Sequence, residues 1–101
     1  MKILHLTLKR KWFDMIADGI KREEYREIKP YWNRRLNQHF DIVRFKNGYG
    51  KVPALDVELK EIMIGLGVVE WGAPESKKVY ILRLGNVISF HNPCPRRNNE
   101  T

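Results

Sequence analysis

The sequence predicts one mostly β domain, a small antiparallel or mixed β-barrel with two short helices near its N-terminus. Three observations lead to this prediction. The chain has 101 residues, 43% hydrophobic and 31% charged, which is typical of an ordinary globular domain. Apolar residues recur at a period of two over much of the chain and at a helical period only in two short segments. Short strands joined by turns are typical of small barrels. We expect the domain to span residues 1–91 and to be followed by a flexible tail, residues 92–101.

The N-terminal segments predict a strand followed by a helix. Residues 2–8, KILHLTL, are mostly apolar and predict the strand. In the next segment Trp12, Phe13 and Ile16 fall at helical spacing, and Gly19 stands where a C-terminal cap belongs. The helix is therefore expected to end just before Gly19.

A strongly charged segment follows, KREEYREIK at residues 21–29. In an extended conformation Glu24 and Arg26 point to one face and Tyr25 to the other. Tyr25 is therefore expected to anchor the segment in the core. The two flanking arginines, Arg22 and Arg26, would keep Glu24 ionised and fix its orientation.

The rest of the chain predicts one more helix and three strands. Pro30 suits the first position of a helix, for which Tyr31, Trp32 and Leu36 would form the buried side. A strand in DIVRFKNGYG is expected to end in the Asn47-Gly48 turn, and a second strand is expected from Ala54, with a β-bulge near Lys60 and Glu61. After a turn-rich segment, GLGVVEWGAPES, the sequence predicts a long strand, KKVYILRLGNVISF, that is broken by Gly85 and Asn86.

The charge balance points to a polyanionic partner. Nineteen Lys and Arg against twelve Asp and Glu give a net charge of +7, which favours RNA or a nucleotide-like ligand. The alternative is that the charge serves only solubility. Cys94 has no second cysteine to pair with, and the histidines lack metal-ligand spacing, so we expect neither a metal nor a cofactor. No apolar run suits a signal peptide or a membrane span, and we expect a cytoplasmic protein.

One motif carries a family resemblance. GIKREEYR, residues 19–26, fits the G-x-K-x-x-E-x-R signature of the ASCH domains, a branch of the PUA-like superfamily. The setting is also similar: a strand, a Trp-bearing helix, the signature, a second helix and then strands. FKNGYG and WGAPESKKVYILRLGNVISF resemble the small single-domain proteins of phages and bacteria in particular. The resemblance covers residues 3–90.

The resemblance implies a β-barrel with a cleft that is lined by the signature residues and binds RNA or modified nucleosides. One small branch of the family hydrolyses N4-acetylcytidine, and this chain is similar to it at Gly19, Lys21 and Arg26. Where those amidohydrolases carry a threonine nucleophile, this chain has Glu24. A carboxylate cannot replace an activated hydroxyl in acyl transfer, although it can act as a general base on water. Whether the chain is an enzyme therefore stays open.

The candidate site follows from the signature and from nearby basic and aromatic residues. The predicted ligand-binding or nucleic-acid-binding residues are Lys9, Trp12, Lys21, Glu24, Arg26, Arg44, Lys46 and Tyr49. If the protein is a hydrolase of a modified cytidine-type nucleoside, Lys21 and Glu24 would be its proton-handling pair. The competing interpretations are an exposed salt-bridge ladder for the signature residues, ordinary core for Trp12, and solvated charge for Arg44 and Lys46. A module that binds an acidic protein is a third possibility, and the oligomeric state is open.

Overall fold

Five strands and two α-helices follow one another in the computed structural model, which describes residues 1–92. Their bounds are β1 (Ile3–Leu8), α1 (Arg10–Ala17), β2 (Glu23–Arg26), α2 (Pro30–Arg35), β3 (Ile42–Asn47), β4 (Ala54–Leu66) and β5 (Lys78–His91). A 3₁₀-helix, Val69–Trp71, lies between the last two strands. The prediction of a mostly β chain with two short helices near its start is confirmed. No helix in this part of the chain is long and apolar enough to cross a membrane.

The strands form one mixed sheet in the order β1-β3-β4-β5-β2. The β1–β3 pair is parallel, and the other three pairs are antiparallel. β1 and β2 are the two edges, and no strand pairing between them closes the sheet, so the predicted barrel is not confirmed. One side chain reaches across: Nη2 of Arg26 on β2 donates a hydrogen bond to the carbonyl oxygen of Thr7 on β1, at 3.2 Å.

The end of α1 fixes the start of the signature segment. Gly19 has a φ of +77°, the left-handed conformation expected of a glycine after a helix, and its N–H donates to the carbonyl of Ile16. The N–H of Lys21 then donates to the carbonyl of Met15 at 3.0 Å. The backbone of Lys21 is therefore tied to the last turn of α1 before β2 begins.

The second helix begins at Pro30, as the sequence predicts, and has only six residues. Leu36, just after it, is buried, and Trp32 is partly buried against the core. Tyr31 is exposed, so its expected place in the core is wrong. The reason is that so short a helix has one buried side, and Tyr31 faces away from it, next to Arg35.

Two apolar clusters hold the sheet together. The main cluster packs α1 and the segment after α2 against the sheet, and it contains Phe13, Ile16, Leu36, Phe45 and Leu82 among others. A smaller cluster joins Tyr25 to Ala73, Val79 and Ile81. The prediction that Tyr25 anchors β2 is thereby confirmed.

The two long strands are irregular where they pair. The β4–β5 register shifts between Leu59 and Glu61, so the predicted bulge at Lys60 and Glu61 is confirmed, and two more shifts lie closer to Asp56. The predicted break at Gly85 is instead an irregularity within a continuous β5. A Cβ atom at Gly85 would lie 2.1 Å from Oε1 of Glu58, so a larger residue there would require the Glu58 side chain to move. The predicted tail, from residue 93 onward, and Cys94 lie outside the described residues.

Candidate functional site

Lys21, Glu24 and Arg26 meet in one buried network. Nζ of Lys21 lies 3.2 Å from Oε1 of Glu24, and Nη1 of Arg26 donates to the other carboxylate oxygen. Lys21 is 2% exposed and Glu24 is 6% exposed, while the Arg26 side chain is 16% exposed. The sequence predicts these three residues as candidate site residues, and the structure brings them together. They do not form an exposed salt-bridge ladder.

The ammonium group of Lys21 is surrounded by acceptors and aromatic rings. It donates to the carbonyl oxygen of Trp71 and lies 5.0 Å from the ring centre of Trp12 and 4.7 Å from that of Tyr25. A buried lysine needs such partners because removal of its charge from water is costly. Lys21 therefore links α1, β2 and the 3₁₀-helix at one point.

Burial and the neighbouring carboxylate shift the pKa of Lys21 in opposite directions. Burial lowers the pKa of Lys21 below its ordinary value, while the contact with Glu24 partly offsets this change. Nearby Arg26 lowers the pKa further by charge repulsion. The lysine is consequently easier to deprotonate than a lysine in water, which is the condition for an amine that takes part in proton transfer.

Arg26 connects the buried network to the surface. Its Nη1 also donates to the carbonyl of Tyr25 at 2.7 Å, and its guanidinium lies 5.3 Å from the ring centre of Trp32. Arg35 contacts the same ring at 5.3 Å and the ring of Tyr31 at 5.8 Å. Arginine and aromatic groups thus alternate from the network outward to α2.

An open cavity lies beside Tyr80, the cross-strand neighbour of Arg26. Tyr80 is the cross-strand partner of Arg26, so their side chains lie on the same side of the sheet. Tyr80 also lines a cavity of about 590 Å³ between α2 and the long strands, together with Asn33, Asn37 and Ile62. A volume of this size is within the range of small-molecule sites, roughly 300–1,000 Å³. Lys21 lines a different cavity, of about 130 Å³, which is below that range.

Of the two candidates at the first helix, one belongs to the network. Trp12 is partly buried, packs against the main core, and has Lys21 and Lys11 over its ring. It is therefore both a core residue and a wall of the lysine site. Lys9 is exposed at the N-cap of α1, where its carbonyl oxygen accepts hydrogen bonds from the N–H groups of Trp12 and Phe13.

The candidates on and after β3 lie elsewhere. Arg44 and Lys46 alternate with the core residue Phe45, so they project from the face of the sheet away from the main core. Arg44 is engaged there by Asp56, through Nε at 2.6 Å and Nη2 at 2.9 Å. Tyr49, in the turn after β3, is 86% exposed. The structure does not join these residues to the signature network.

Sequence analysis missed two parts of the site. The Trp71 carbonyl that accepts from Lys21 carries no sequence signal, because any residue type provides a carbonyl. The contacts of Trp32 with two guanidinium groups had a signal, namely an aromatic residue three positions before Arg35 on a helix. It also missed the cluster around Asp56, in which Ser89 and His91 come from a distant strand.

Comparison of the chain with protein-family models, with curated proteins and with solved structures finds no significant match. The resemblance to the ASCH domains therefore rests on the signature and its setting. Within residues 1–92, no group of three or more His, Cys, Asp or Glu side chains is placed to hold a metal ion.

Proposed function

We propose that this protein binds RNA or a nucleoside-type ligand in the cavity of about 590 Å³ between α2 and the long strands, which we call the groove. Arg26 is linked to this groove through its cross-strand neighbour Tyr80. The observation that carries the proposal is the convergence of Lys21, Glu24 and Arg26 into a network that is buried at Lys21 and open at Arg26. The network fixes one guanidinium, whose cross-strand neighbour Tyr80 lines a cavity large enough for a nucleobase.

The groove has the chemistry that a base requires. The hydroxyl of Tyr80 donates to Oδ1 of Asn33 at 2.5 Å, which leaves the amide N–H groups of Asn33 for a ligand. Asn37 adds a second amide, and Ile62 and Met63 supply apolar surface. Amides read the edges of bases by paired hydrogen bonds, and apolar or aromatic surface accepts their faces.

Helix α2, which contributes Asn33 to the groove, also carries a guanidinium that suits a phosphate of an RNA strand. Arg35 is held against Tyr31 and Trp32, and its Nη2 donates to the carbonyl of His5 at 3.0 Å. A guanidinium oriented in this way binds phosphate with less loss of entropy than a free side chain. The net charge of +7 acts in the same direction at longer range.

Membership of the ASCH domains, and with it a PUA-like barrel, is part of the proposal. The signature supports it because the three residues that the family pattern singles out form one network here. The Arg26–Thr7 hydrogen bond supports it as well, since it draws together the two edges that a barrel would join.

Fluorescence anisotropy with single-stranded and structured RNA at two salt concentrations tests the proposal. We expect saturable binding that weakens with salt. Arg35→Ala should lower the affinity for every RNA and reduce the slope of log affinity against log salt by about 0.7, the value for one phosphate contact to a single strand. Asn37→Ala should change the preference among bases and leave the slope unchanged.

Arg83→Ala is the matched control. Arg83 is half-exposed and paired with Glu61, so its removal changes the net charge by the same amount away from the groove. Equal losses from Arg35→Ala and Arg83→Ala would show that binding depends only on overall charge and would contradict a site in the groove. Indifference to all nucleic acids and nucleosides would favour a module that binds an acidic protein.

A second candidate function is hydrolysis of an N-acylated cytidine-type nucleoside. The observation that favours it is the contact of Lys21, whose pKa is lowered, with Glu24 as a proton-handling pair. The small volume of the cavity at Lys21 means that a substrate would need a rearrangement to reach it. Incubation of the unmodified protein with a panel of acylated cytidines, followed by chromatography, tests this function. Absence of any deacylated product contradicts it.

A further inference from the structure

The face of the sheet away from the main core carries a second polar cluster. Two rows of side chains cross β3, β4 and β5 on this face: Arg44, Asp56 and Ser89 in one row, and Lys46, Ala54 and His91 in the next. Residues that are directly opposite in neighbouring strands point to the same side, so the register alone places these six side chains together.

A buried carboxylate organises the cluster. Asp56 accepts two hydrogen bonds from Arg44, and it also lies 3.4 Å from Oγ of Ser89 and 3.3 Å from Nε2 of His91. The bond with Arg44 is the main reason that the pKa of Asp56 is lowered to about 2. The ionised carboxylate holds a guanidinium and an imidazole side by side in fixed orientations.

The outer ends of both groups have no hydrogen-bond partner in the part of the chain that the structure describes. Within residues 1–92, Nη1 of Arg44 and Nδ1 of His91 make no hydrogen bond. Both side chains line a cavity of about 560 Å³, whose other walls include Ala54, Val52 and Phe90. Ala54, which lies between Lys46 and His91 in its row and lines the cavity, has only a methyl group and so adds little bulk there.

The presence of serine, histidine and aspartate does not make this cluster a nucleophilic triad. In such a triad the two ring nitrogens have different partners, one the serine and the other the carboxylate. Here the same nitrogen, Nε2 of His91, faces both Ser89 at 3.2 Å and Asp56 at 3.3 Å. The geometry is instead that of a guanidinium and an imidazole oriented by one carboxylate.

We propose that this cavity is a phosphate-binding site in which Arg44 and His91 donate to the phosphate oxygens. Lys46 adds positive charge from the neighbouring position, Asp56 orients both donors, and Ala54 leaves the space. The guanidinium of Arg44 suits phosphate because Asp56 occupies its Nε and Nη2 atoms, while its Nη1 has no hydrogen-bond partner within residues 1–92. The site is independent of the proposed function, since it lies on the opposite face of the sheet from the signature network.

Backbone NMR spectra of the full chain, recorded with added inorganic phosphate and, as a control, with sodium chloride at the same ionic strength, test the proposal. We expect saturable shifts at the amides of Val52, Ala54 and His91. His91→Ala should weaken phosphate binding about tenfold, the effect of one charge-assisted hydrogen bond. Ala54→Leu should abolish binding by filling the cavity while it leaves every charge in place.

The controls separate this site from overall charge and from the proposed function. Lys46→Ala should weaken phosphate binding, whereas Lys78→Ala, which removes the same charge from the far end of β5, should leave it unchanged. Arg35→Ala, which tests the groove, should not affect it. Absence of saturable shifts, or shifts that persist in folded Ala54→Leu and His91→Ala, would overturn the proposal.

The source of the phosphate is decided by two further ligands. A nucleoside monophosphate that competes with inorganic phosphate and binds more tightly identifies a free small molecule. A single-stranded RNA that competes more effectively than either identifies a backbone phosphate. Either result supports the site. If neither the nucleoside monophosphate nor the RNA displaced inorganic phosphate, a biological phosphate ligand would be contradicted.

Discussion

At the scale of single residues, burial divides lysines that look alike in the sequence. Lys21 and Lys29 lie in the same charged segment, and each is paired with a glutamate. Lys21 is almost fully buried with Glu24, while Lys29 and Glu27 are both more than half exposed. An exposed pair contributes little to stability, whereas removal of one partner from a buried pair leaves a charge that nothing compensates.

Substitutions in these two pairs should therefore have very different effects. Glu24→Gln should lower the free energy of unfolding by about 3 kcal/mol, because it leaves the buried Lys21 ammonium without a counter-ion. Lys21→Met should cost less, because Glu24 keeps Arg26 as a partner. Urea unfolding of each variant measures both quantities.

Lys29→Met is the matched control and should change the free energy of unfolding by less than about 1 kcal/mol. If Glu24→Gln were no more harmful than Lys29→Met, the network would be far more solvated than the structure shows. Activity or binding assays of Glu24 variants need this measurement beside them, since loss of function and loss of fold would otherwise be confused.

At the scale of elements, β2 is held by its packing as much as by its hydrogen bonds. It has only four residues, and it pairs with β5 along the sheet edge. Its Tyr25 packs against Ala73 and accepts a hydrogen bond from the N–H of Val68, which fixes the segment after β4 beside it. Gly67 lies against both the ring of Tyr25 and the side chain of Ala73.

Gly67→Ala should disrupt this contact, because the added Cβ would lie 2.5 Å from a ring carbon of Tyr25 and 2.7 Å from Cβ of Ala73. We expect a loss of about 1–3 kcal/mol in the free energy of unfolding, as for other overpacked sites. Thermal or urea denaturation provides the measurement.

Gly65→Ala is the control two residues earlier, where the nearest atom, on Ile81, would be at an ordinary 3.5 Å. It should be close to neutral. If both variants lost the same free energy of unfolding, the loss at Gly67 would come from the change of backbone flexibility and not from the close approach to Tyr25.

At the scale of the whole molecule, Asp56 ties three of the five strands through its contacts with Arg44, Ser89 and His91. Its pKa in the folded protein, about 2, is below its ordinary value of 3.8. The folded state therefore favours the ionised form. The resulting stabilisation is complete above about pH 4 and is lost as the pH falls towards 2.

Unfolding experiments between pH 5 and 2 should show this loss, which is about 2 kcal/mol for this one group. Asp56→Asn should be less stable at neutral pH because Arg44 loses its partner, and its stability should depend less on pH between about 4 and 2. Asp14→Asn, in an exposed pair with Arg10, should retain the acid dependence of the original protein. An unchanged acid dependence in Asp56→Asn would contradict the assignment.

The sequence by itself determined the local features of this protein. The period of apolar residues predicted the strands and helices, Gly19 marked the end of α1, and the bulge near Lys60 and Glu61 was predicted within the strand from Ala54. These features follow from interactions between near neighbours, which the order of residues specifies directly. The signature also named Lys21, Glu24 and Arg26 as a group, before their contacts were known.

Only the tertiary structure decided which charges are buried and which strands meet. Tyr31 and Trp32 are adjacent and aromatic, yet only Trp32 packs against the core. Asp56 and His91 are 35 residues apart and become neighbours only through the pairing of β4 with β5. The sheet order, with β1 and β2 at opposite edges, likewise depends on long-range pairing. Burial and distant contacts are properties of the assembled sheet, so no local pattern in the chain encodes them.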